Sequence, residues 1–216
     1  MTPTHQVTPL GKNAVFETLV DEILTNRIPA GAALTERALV GRFGLSRTPI
    51  REVLLRLQAE HLVDFYPNQG AFVRKLTPHD IRDLFEMREA LEPLAAALAA
   101  RHRPEAELEQ LTAEFGRVDE TTDAATLTRL GERLHDAIAA WSGNQLLEDF
   151  STHLRRQMML VRAMLRSQTD LERRSLQEHL ELLRALHDRD PDAARAQMTA
   201  HLERSHTAVM ALILAR

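Results

Sequence analysis

Apolar residues recur along the first part of the chain with two different periods. From Ala14 to Asn26 and from Ile50 to Leu57 they return every three or four positions, which is typical of amphipathic helices. Thr35 is a suitable cap for a shorter helix between these two. Residues 62–66 and 71–74 are β-prone runs separated by Pro-Asn-Gln-Gly, which predicts a hairpin. Three helices followed by a hairpin predict a winged helix-turn-helix.

From Thr77 onward the pattern is helical throughout. Six amphipathic segments joined by loops of a few residues predict an antiparallel bundle. Their expected bounds are residues 78–101, 104–119, 124–141, 145–167, 170–187 and 191–216. The predicted fold class is therefore mainly α, with a winged helix-turn-helix domain at residues 1–76 and a six-helix bundle at residues 77–216.

The third helix of the first domain carries polar groups suited to DNA. Gly44 supplies the positive φ of the turn before it, and the Ser46 hydroxyl is expected to cap its first turn. Arg47, Thr48 and Arg51 then lie on the outer side of the helix start. Guanidinium and hydroxyl groups there suit phosphate oxygens and the acceptor edge of guanine. The alternative is an ordinary amphipathic helix whose arginines form a solvated face.

Composition and charge agree with a DNA-binding interpretation without requiring it. The absence of cysteine excludes disulfides and thiolate metal sites and suits a reducing cytoplasm. We also expect a cytoplasmic location because no run resembles a signal peptide or a membrane span. The net charge is −4, but residues 1–76 hold 9 Lys+Arg against 7 Asp+Glu, and residues 77–216 hold 18 against 24. The small positive excess therefore falls in the predicted DNA-binding domain.

Several motifs of the first domain resemble the DNA-binding domain of the GntR family of bacterial transcription regulators. They are G-A-A-L-T-E-R (31–37), F-G-L-S-R-T-P-I-R-E-V-L-L-R-L (43–57) and N-Q-G-A-F-V (68–73). The resemblance implies that Arg37 and the polar residues of the third helix face double-stranded DNA. It also implies that the wing tip, with Gln69 and Gly70, enters the minor groove. One departure is His61, where the family commonly has glycine; if this position needs a positive φ, local strain is expected.

Three histidines are the candidate metal ligands of the bundle. His135, His179 and His201 fall on or beside the apolar stripes of its third, fifth and sixth helices. Three converging imidazoles suit a divalent metal such as Zn or Ni, although a single such histidine is more often a hydrogen-bonded core residue. The segment M-R-E-A-L-E-P-L-A-A-A-L-A-A (87–100) resembles the start of the FCD ligand-binding domain of the FadR branch, in its VanR-like form with six helices. That resemblance places all three histidines on the FCD metal motifs.

The chain departs from the FCD pattern at Gly131, where the family has an aspartate four residues before its first metal histidine. Three alternatives remain open. Glu132, three residues before His135, lies on the same helical face and could reach the ion. The histidines could instead hold the ion alone, with the effector's own carboxylate completing the shell. In the third alternative no metal binds, and the histidines donate hydrogen bonds to an anionic ligand.

Two arginines are candidates for binding an effector. Arg88 is flanked by apolar residues on the inner side of the first bundle helix, and Arg162 follows an apolar run in the fourth. A buried guanidinium needs a carboxylate partner because an unpaired buried charge is costly. That partner is either a small organic acid held through two hydrogen bonds or an internal glutamate such as Glu92.

The interpretation that follows is a homodimeric transcription regulator, a repressor, with a bundle for effector binding and dimerisation. Binding of a small organic acid would change its affinity for a double-stranded DNA operator. Two alternatives compete with this interpretation. The bundle could be a metal-dependent enzyme domain fused to a DNA-binding head, or it could only dimerise a head that binds DNA constitutively.

Overall fold

The computed structural model describes residues 11–165 and 169–215. Contacts divide the chain into two compact units, one ending at Lys75 and the other beginning at Leu76. Each unit has its own apolar core, and each is described by itself.

The N-terminal unit contains three helices and a small antiparallel sheet, so the predicted winged helix-turn-helix is confirmed. The elements are α1 (Lys12–Leu24), β1 (Ala33–Leu34), α2 (Glu36–Phe43), α3 (Arg47–Ala59), β2 (Val63–Tyr66) and β3 (Gly70–Val73). β2 and β3 form the predicted hairpin, and β1 adds to its other side in the order β1-β3-β2. The sequence analysis missed β1 because two residues are too few to display an alternating pattern.

The core of this unit comes from the apolar stripes of α1 and α3. Phe16 and Leu19 of α1, together with Ile50 and Leu57 of α3, are almost completely buried. Each fully buried side chain of this size contributes about 1.5–3 kcal/mol. This burial fixes the inner face of α3 and leaves its opposite face exposed.

The turns around α3 agree with the sequence except at Ser46. Gly44 has a φ of 68° and His61 a φ of 54°, so both occupy the left-handed region. Ser46 stands at the cap position of α3, but its hydroxyl makes no capping hydrogen bond, so that expectation is wrong. A capping serine bonds the second or third amide of the helix, and Pro49 removes the third.

The C-terminal unit contains the predicted six helices within the described residues. They are α4 (Pro78–His102), α5 (Glu105–Phe115), α6 (Ala124–Trp141), α7 (Gln145–Leu165), α8 (Thr169–His187) and α9 (Pro191–Leu214). α6 has the predicted bounds, whereas α5 ends at Phe115 before Gly116 and not near Asp119. The predicted end of the fourth bundle helix, near Ser167, lies outside the described residues.

Local capping fixes where the bundle helices begin. Thr77 and Asp80 form a reciprocal capping box at the start of α4. Asp123 caps α6, and Asp190 caps α9 immediately before Pro191. Each cap contributes about 1 kcal/mol.

α4 runs through the middle of the bundle and packs against α6, α7 and α9. Its buried alanines, Ala95, Ala96, Ala99 and Ala100, join a core completed by leucines of the other helices. Small side chains allow the neighbouring helices to approach α4 closely. Among the described helices, none combines the length and the apolar character that crossing a membrane requires.

Candidate metal centre and DNA-binding surface

The three predicted histidines converge inside the bundle. His135 lies on α6, His179 on α8 and His201 on α9. One potential ligand nitrogen of each lies within 4.8 Å of the other two. The ring centroids are 5.3 Å apart for His135 and His179, 5.2 Å for His135 and His201, and 4.6 Å for His179 and His201. The side chains of His179 and His201 are buried, and His135 is half-buried.

Two carboxylates orient two of these rings from behind. His135 Nδ1 lies 2.6 Å from Glu92 Oε2, and His201 Nδ1 lies 2.6 Å from Glu178 Oε2. An ionised carboxylate only accepts, so Nδ1 carries the proton and donates it, which leaves Nε2 with a free lone pair. Carboxylate–histidine pairs of this kind commonly support metal ligands.

His179 supplies an independent test of whether a metal fits. Its Nε2 is buried and has no hydrogen-bond partner among the described residues. An unpaired buried nitrogen is costly, and a metal ion would satisfy it. The three histidines therefore fit a divalent ion.

The surroundings of His135 and His179 keep their imidazoles neutral. Burial lowers the pKa of His135 to about 4, although Glu92 opposes the shift. Burial also lowers the pKa of His179 well below its usual value, and His201 and His135 lower it further. Both rings are thus neutral at physiological pH, which is the state that metal coordination requires.

The two supporting carboxylates remain ionised despite burial. Burial by itself would raise the pKa of Glu92, but Arg88 and His135 outweigh it and hold this pKa well below its usual range. Burial likewise opposes the lowering of the Glu178 pKa that hydrogen bonds from His201 and Arg204 produce. Both carboxylates can therefore accept from their histidines.

Gly131 makes room for the ring of His179. A Cβ atom at position 131 would lie 2.7 Å from His179 Cε1, closer than real Cβ atoms come to a neighbour. The imidazole thus occupies the space that a side chain at this position would need. Glu132, the proposed substitute ligand, does not belong to the histidine group and lines an adjacent cavity instead.

That cavity encloses about 400 Å³, open solvent at its mouth included, and is strongly charged. His135 borders it and thereby connects it to the histidine group. The other lining residues are Arg88, Glu92, Glu132, Ser151, Arg155, Met158 and Arg162. All of the lining residues except Met158 are polar or charged, so the cavity suits a small polar or charged molecule.

Both arginines singled out in the sequence line this cavity, and both have internal partners. Arg88 Nε donates to Glu92 Oε1 at 2.6 Å, which is the internal alternative considered for this residue. Arg162 Nη1 donates to Glu172 Oε1 at 3.2 Å. Neither guanidinium is therefore an unpaired buried charge.

Sequence reasoning missed Ser151 and Arg155, which also line the cavity. Both belong to one face of α7 because Ser151, Arg155, Met158 and Arg162 follow each other at intervals of four, three and four residues. This spacing was visible in the sequence. The presence of the cavity in front of that face was not.

The predicted DNA-binding residues are exposed in the N-terminal unit. Five of them lie on α2 or at the start of α3: Arg37, Ser46, Arg47, Thr48 and Arg51. Gln69 and Gly70 lie at the tip of the hairpin, also exposed. Gly70 has a φ of 93°, a conformation that residues with a side chain rarely adopt. Their contacts with DNA remain a prediction.

Comparison with known families gives two matches that lie side by side along the chain. Residues 12–73 match the family described as bacterial regulatory proteins, gntR family. Residues 83–204 match the FCD domain.

Characterised relatives are similar over most of their length. The HTH-type transcriptional repressor RspR of Escherichia coli K12 is 27% identical over 206 residues, which cover 94% of this chain and 89% of RspR. The Nta operon transcriptional regulator of Aminobacter aminovorans is 28% identical over 185 residues, which cover 85% of this chain and 87% of the regulator.

Solved structures share the fold. E. coli McbR/YncC has a TM-score of 0.76 at 23% identity, and the match covers 93% of this chain and 97% of that one. The Zn²⁺-bound FCD domain of TM0439 has a TM-score of 0.55 at 22% identity, covering 66% of this chain and 99% of that domain.

Proposed function

Because the chain belongs to the GntR family of bacterial regulatory proteins and carries an FCD domain, we propose that it is an effector-controlled repressor. Its helical domain would bind a small organic acid beside a divalent metal ion and thereby change the affinity of the head for a DNA operator. The family and its relatives are transcription regulators and not enzymes, so the chain is a DNA-binding transcription regulator.

The observation that carries the effector proposal is the meeting of three converging histidines with a charged cavity. His135, His179 and His201 would hold the ion, which would supply a positive centre for a carboxylate oxygen. Glu92 and Glu178 would keep two of the rings oriented. The Zn²⁺ in the FCD domain of TM0439 supports a metal here as well.

The DNA-binding proposal rests on the exposed polar edge of the head. Arg47, Thr48 and Arg51 would enter the major groove from the start of α3, and Arg37 would contact the backbone. Gln69 and Gly70 would bring the wing to the minor groove. Winged heads of this kind act in pairs on two-fold sites, which favours a homodimer.

Exposed apolar side chains on the bundle support the homodimer. Met87 and Leu94 lie two turns apart on one face of α4 and are 45% and 38% exposed. Leu146 and Phe150 lie one turn apart on α7, which packs against α4. Pairs of exposed apolar side chains on one helical face commonly occur at protein interfaces.

Elemental analysis of the tag-free protein, before and after dialysis against a chelator, tests the metal component. We expect one divalent ion per chain, and we expect its removal to lower the melting temperature because the ion stabilises only the folded state. His179→Ala should lose the ion, whereas His187→Ala, on an exposed position of the same helix, should keep it. The absence of metal from the undialysed protein, with no change in melting after chelation, would refute this component.

A further inference from the structure

The arginines of the cavity do not indicate which chemical groups the ligand carries, because each guanidinium is already paired with a carboxylate. Arg88 binds Glu92, Arg162 binds Glu172, and Arg155 forms an ion pair with Asp136. These pairs hold the three guanidiniums in the wall of the cavity. The polar groups that still lack partners therefore say more about the ligand.

Ser151 is one such group. Its side chain lines the cavity, the residue is 8% exposed, and its hydroxyl oxygen has no hydrogen-bond partner among the described residues. A serine hydroxyl within a helix usually bonds a backbone carbonyl or water. A buried hydroxyl left unsatisfied beside a cavity suits a bound molecule.

Glu132 is the second group. Its carboxylate lines the same cavity and makes no hydrogen bond or ion pair with any residue in the described ranges. Burial raises its pKa, and Arg162 and Arg155 only partly oppose this. Glu92, the other glutamate of the cavity, accepts from both Arg88 and His135, so Glu132 is the carboxylate left available to a ligand.

We infer that the effector carries a hydrogen-bond donor beside its carboxylate, which is either a hydroxyl or an ammonium group. Glu132 would accept a hydrogen bond from this group, and the Ser151 hydroxyl would also bond to it. The effector would then be a small hydroxy acid or amino acid and not a simple carboxylic acid. This inference rests on the proposed function, because the carboxylate end needs the cation held by the histidines.

The layout of α6 supports this orientation. Glu132 and His135 are three residues apart and share one face of the helix. A carboxylate near the ion bound by His135 would therefore place a neighbouring substituent close to Glu132. A simple carboxylic acid would leave Glu132 and Ser151 without hydrogen-bond partners. Leaving buried polar groups unpaired costs binding free energy, so the site would discriminate strongly between similar ligands.

Three acids with one carbon skeleton test the inference. We would titrate the zinc-loaded protein calorimetrically with L-malate, L-aspartate and succinate at millimolar concentrations. L-malate or L-aspartate should bind at least about tenfold more tightly than succinate. Glu132→Leu, which has no acceptor, should reduce this preference to within about threefold, whereas Glu109→Leu, an exposed change on α5, should preserve it. Equal binding of all three acids, no binding of any, or an undiminished preference in Glu132→Leu would overturn the inference.

A ligand-free measurement separates this inference from the metal component. In the chelator-treated protein, Glu132→Leu and Ser151→Ala each remove an unsatisfied group, so each should raise the melting temperature by about 2 °C. Glu109→Leu should leave it unchanged. A lower melting temperature in both cavity variants would assign Glu132 and Ser151 to the fold and overturn the inference even if the protein binds zinc. If the protein binds no metal but both cavity variants melt at a higher temperature, only the metal component is refuted. Glu132 and Ser151 then stay assigned to a ligand.

Discussion

At position 131, the absence of a side chain decides where an imidazole can lie. Glycine in a helix interior costs about 0.5–1 kcal/mol relative to alanine. The chain accepts this cost at a point where a Cβ would lie 2.7 Å from the buried ring of His179. Gly131 therefore contributes by leaving space for a candidate ligand and not by its backbone freedom.

Gly131→Ala is expected to weaken metal binding. The added methyl group must displace the His179 ring, and an ion held by three imidazoles tolerates little displacement of one of them. We expect the affinity for Zn²⁺, measured by competition with a chromophoric chelator, to fall at least about tenfold, or about 1.4 kcal/mol.

The matched control is Gly41→Ala, because Gly41 is also helical and a Cβ there would meet no atom within 4 Å. It should leave the affinity for Zn²⁺ unchanged. An affinity in Gly131→Ala within twofold of the original would show that the ring has room to move and that Gly131 has no part in the site.

At the scale of an element, one face of α3 stabilises the head and the other carries residues predicted to bind DNA. Its inner face, with Ile50 and Leu57, is buried in the head, whereas Arg47 and Arg51 are exposed at its start. Changes on the exposed face should therefore alter DNA binding without unfolding the domain.

Arg47→Ala and Arg51→Ala should each weaken binding to a promoter fragment to which the unmodified protein binds. Each guanidinium lost from a base edge or a phosphate costs about 1–3 kcal/mol, and a lost phosphate contact also reduces the salt dependence by about one unit of slope. Fluorescence anisotropy across a salt series measures both effects, and circular dichroism checks the fold. Arg101→Ala, an exposed arginine of the bundle, is the charge-matched control. Unchanged affinity in both head variants would place the recognition surface elsewhere.

The elements also differ in how much of them the sequence predicts. The periodicity of apolar residues predicts both bounds of α6 and places His135, His179 and His201 on inner faces, because burial repeats along a helix. The two-residue strand β1 leaves no such pattern. The capping hydrogen bond of Ser46 is missing because Pro49 has no N–H to donate to the serine hydroxyl. This proline is visible in the sequence, so the error could have been avoided.

Contacts between helices are less accessible from the sequence. Glu178 and His201 lie 2.6 Å apart although they belong to α8 and α9, and Glu92 of α4 meets His135 of α6 in the same way. Such contacts depend on how far each helix is rotated about its axis, and no single segment records that rotation. The carboxylate support of the histidines and the cavity beside them therefore required the structure.

At the scale of the whole molecule, the proposed homodimer depends on apolar side chains that the single chain leaves exposed. Leu94→Arg would place a charge among them, and burying an unpaired charge is costly. We expect the dimer to dissociate at least about tenfold more readily in sedimentation equilibrium. Gln110→Arg adds the same charge at an exposed position of α5 and should leave the equilibrium unchanged. An unaltered dimer in Leu94→Arg would exclude this face of α4 from the interface.

The histidines and the lining of the cavity come from two different sets of helices, and α6 contributes to both. The histidines come from α6, α8 and α9, whereas the cavity is lined from α4, α6 and α7. A molecule that reached from the ion to Glu132 would thus bind five helices at once. Without it, the amide protons of these helices would exchange with solvent through separate local openings. With it bound, opening any of the five would require its release, so their exchange would slow together while α5 kept its own rate.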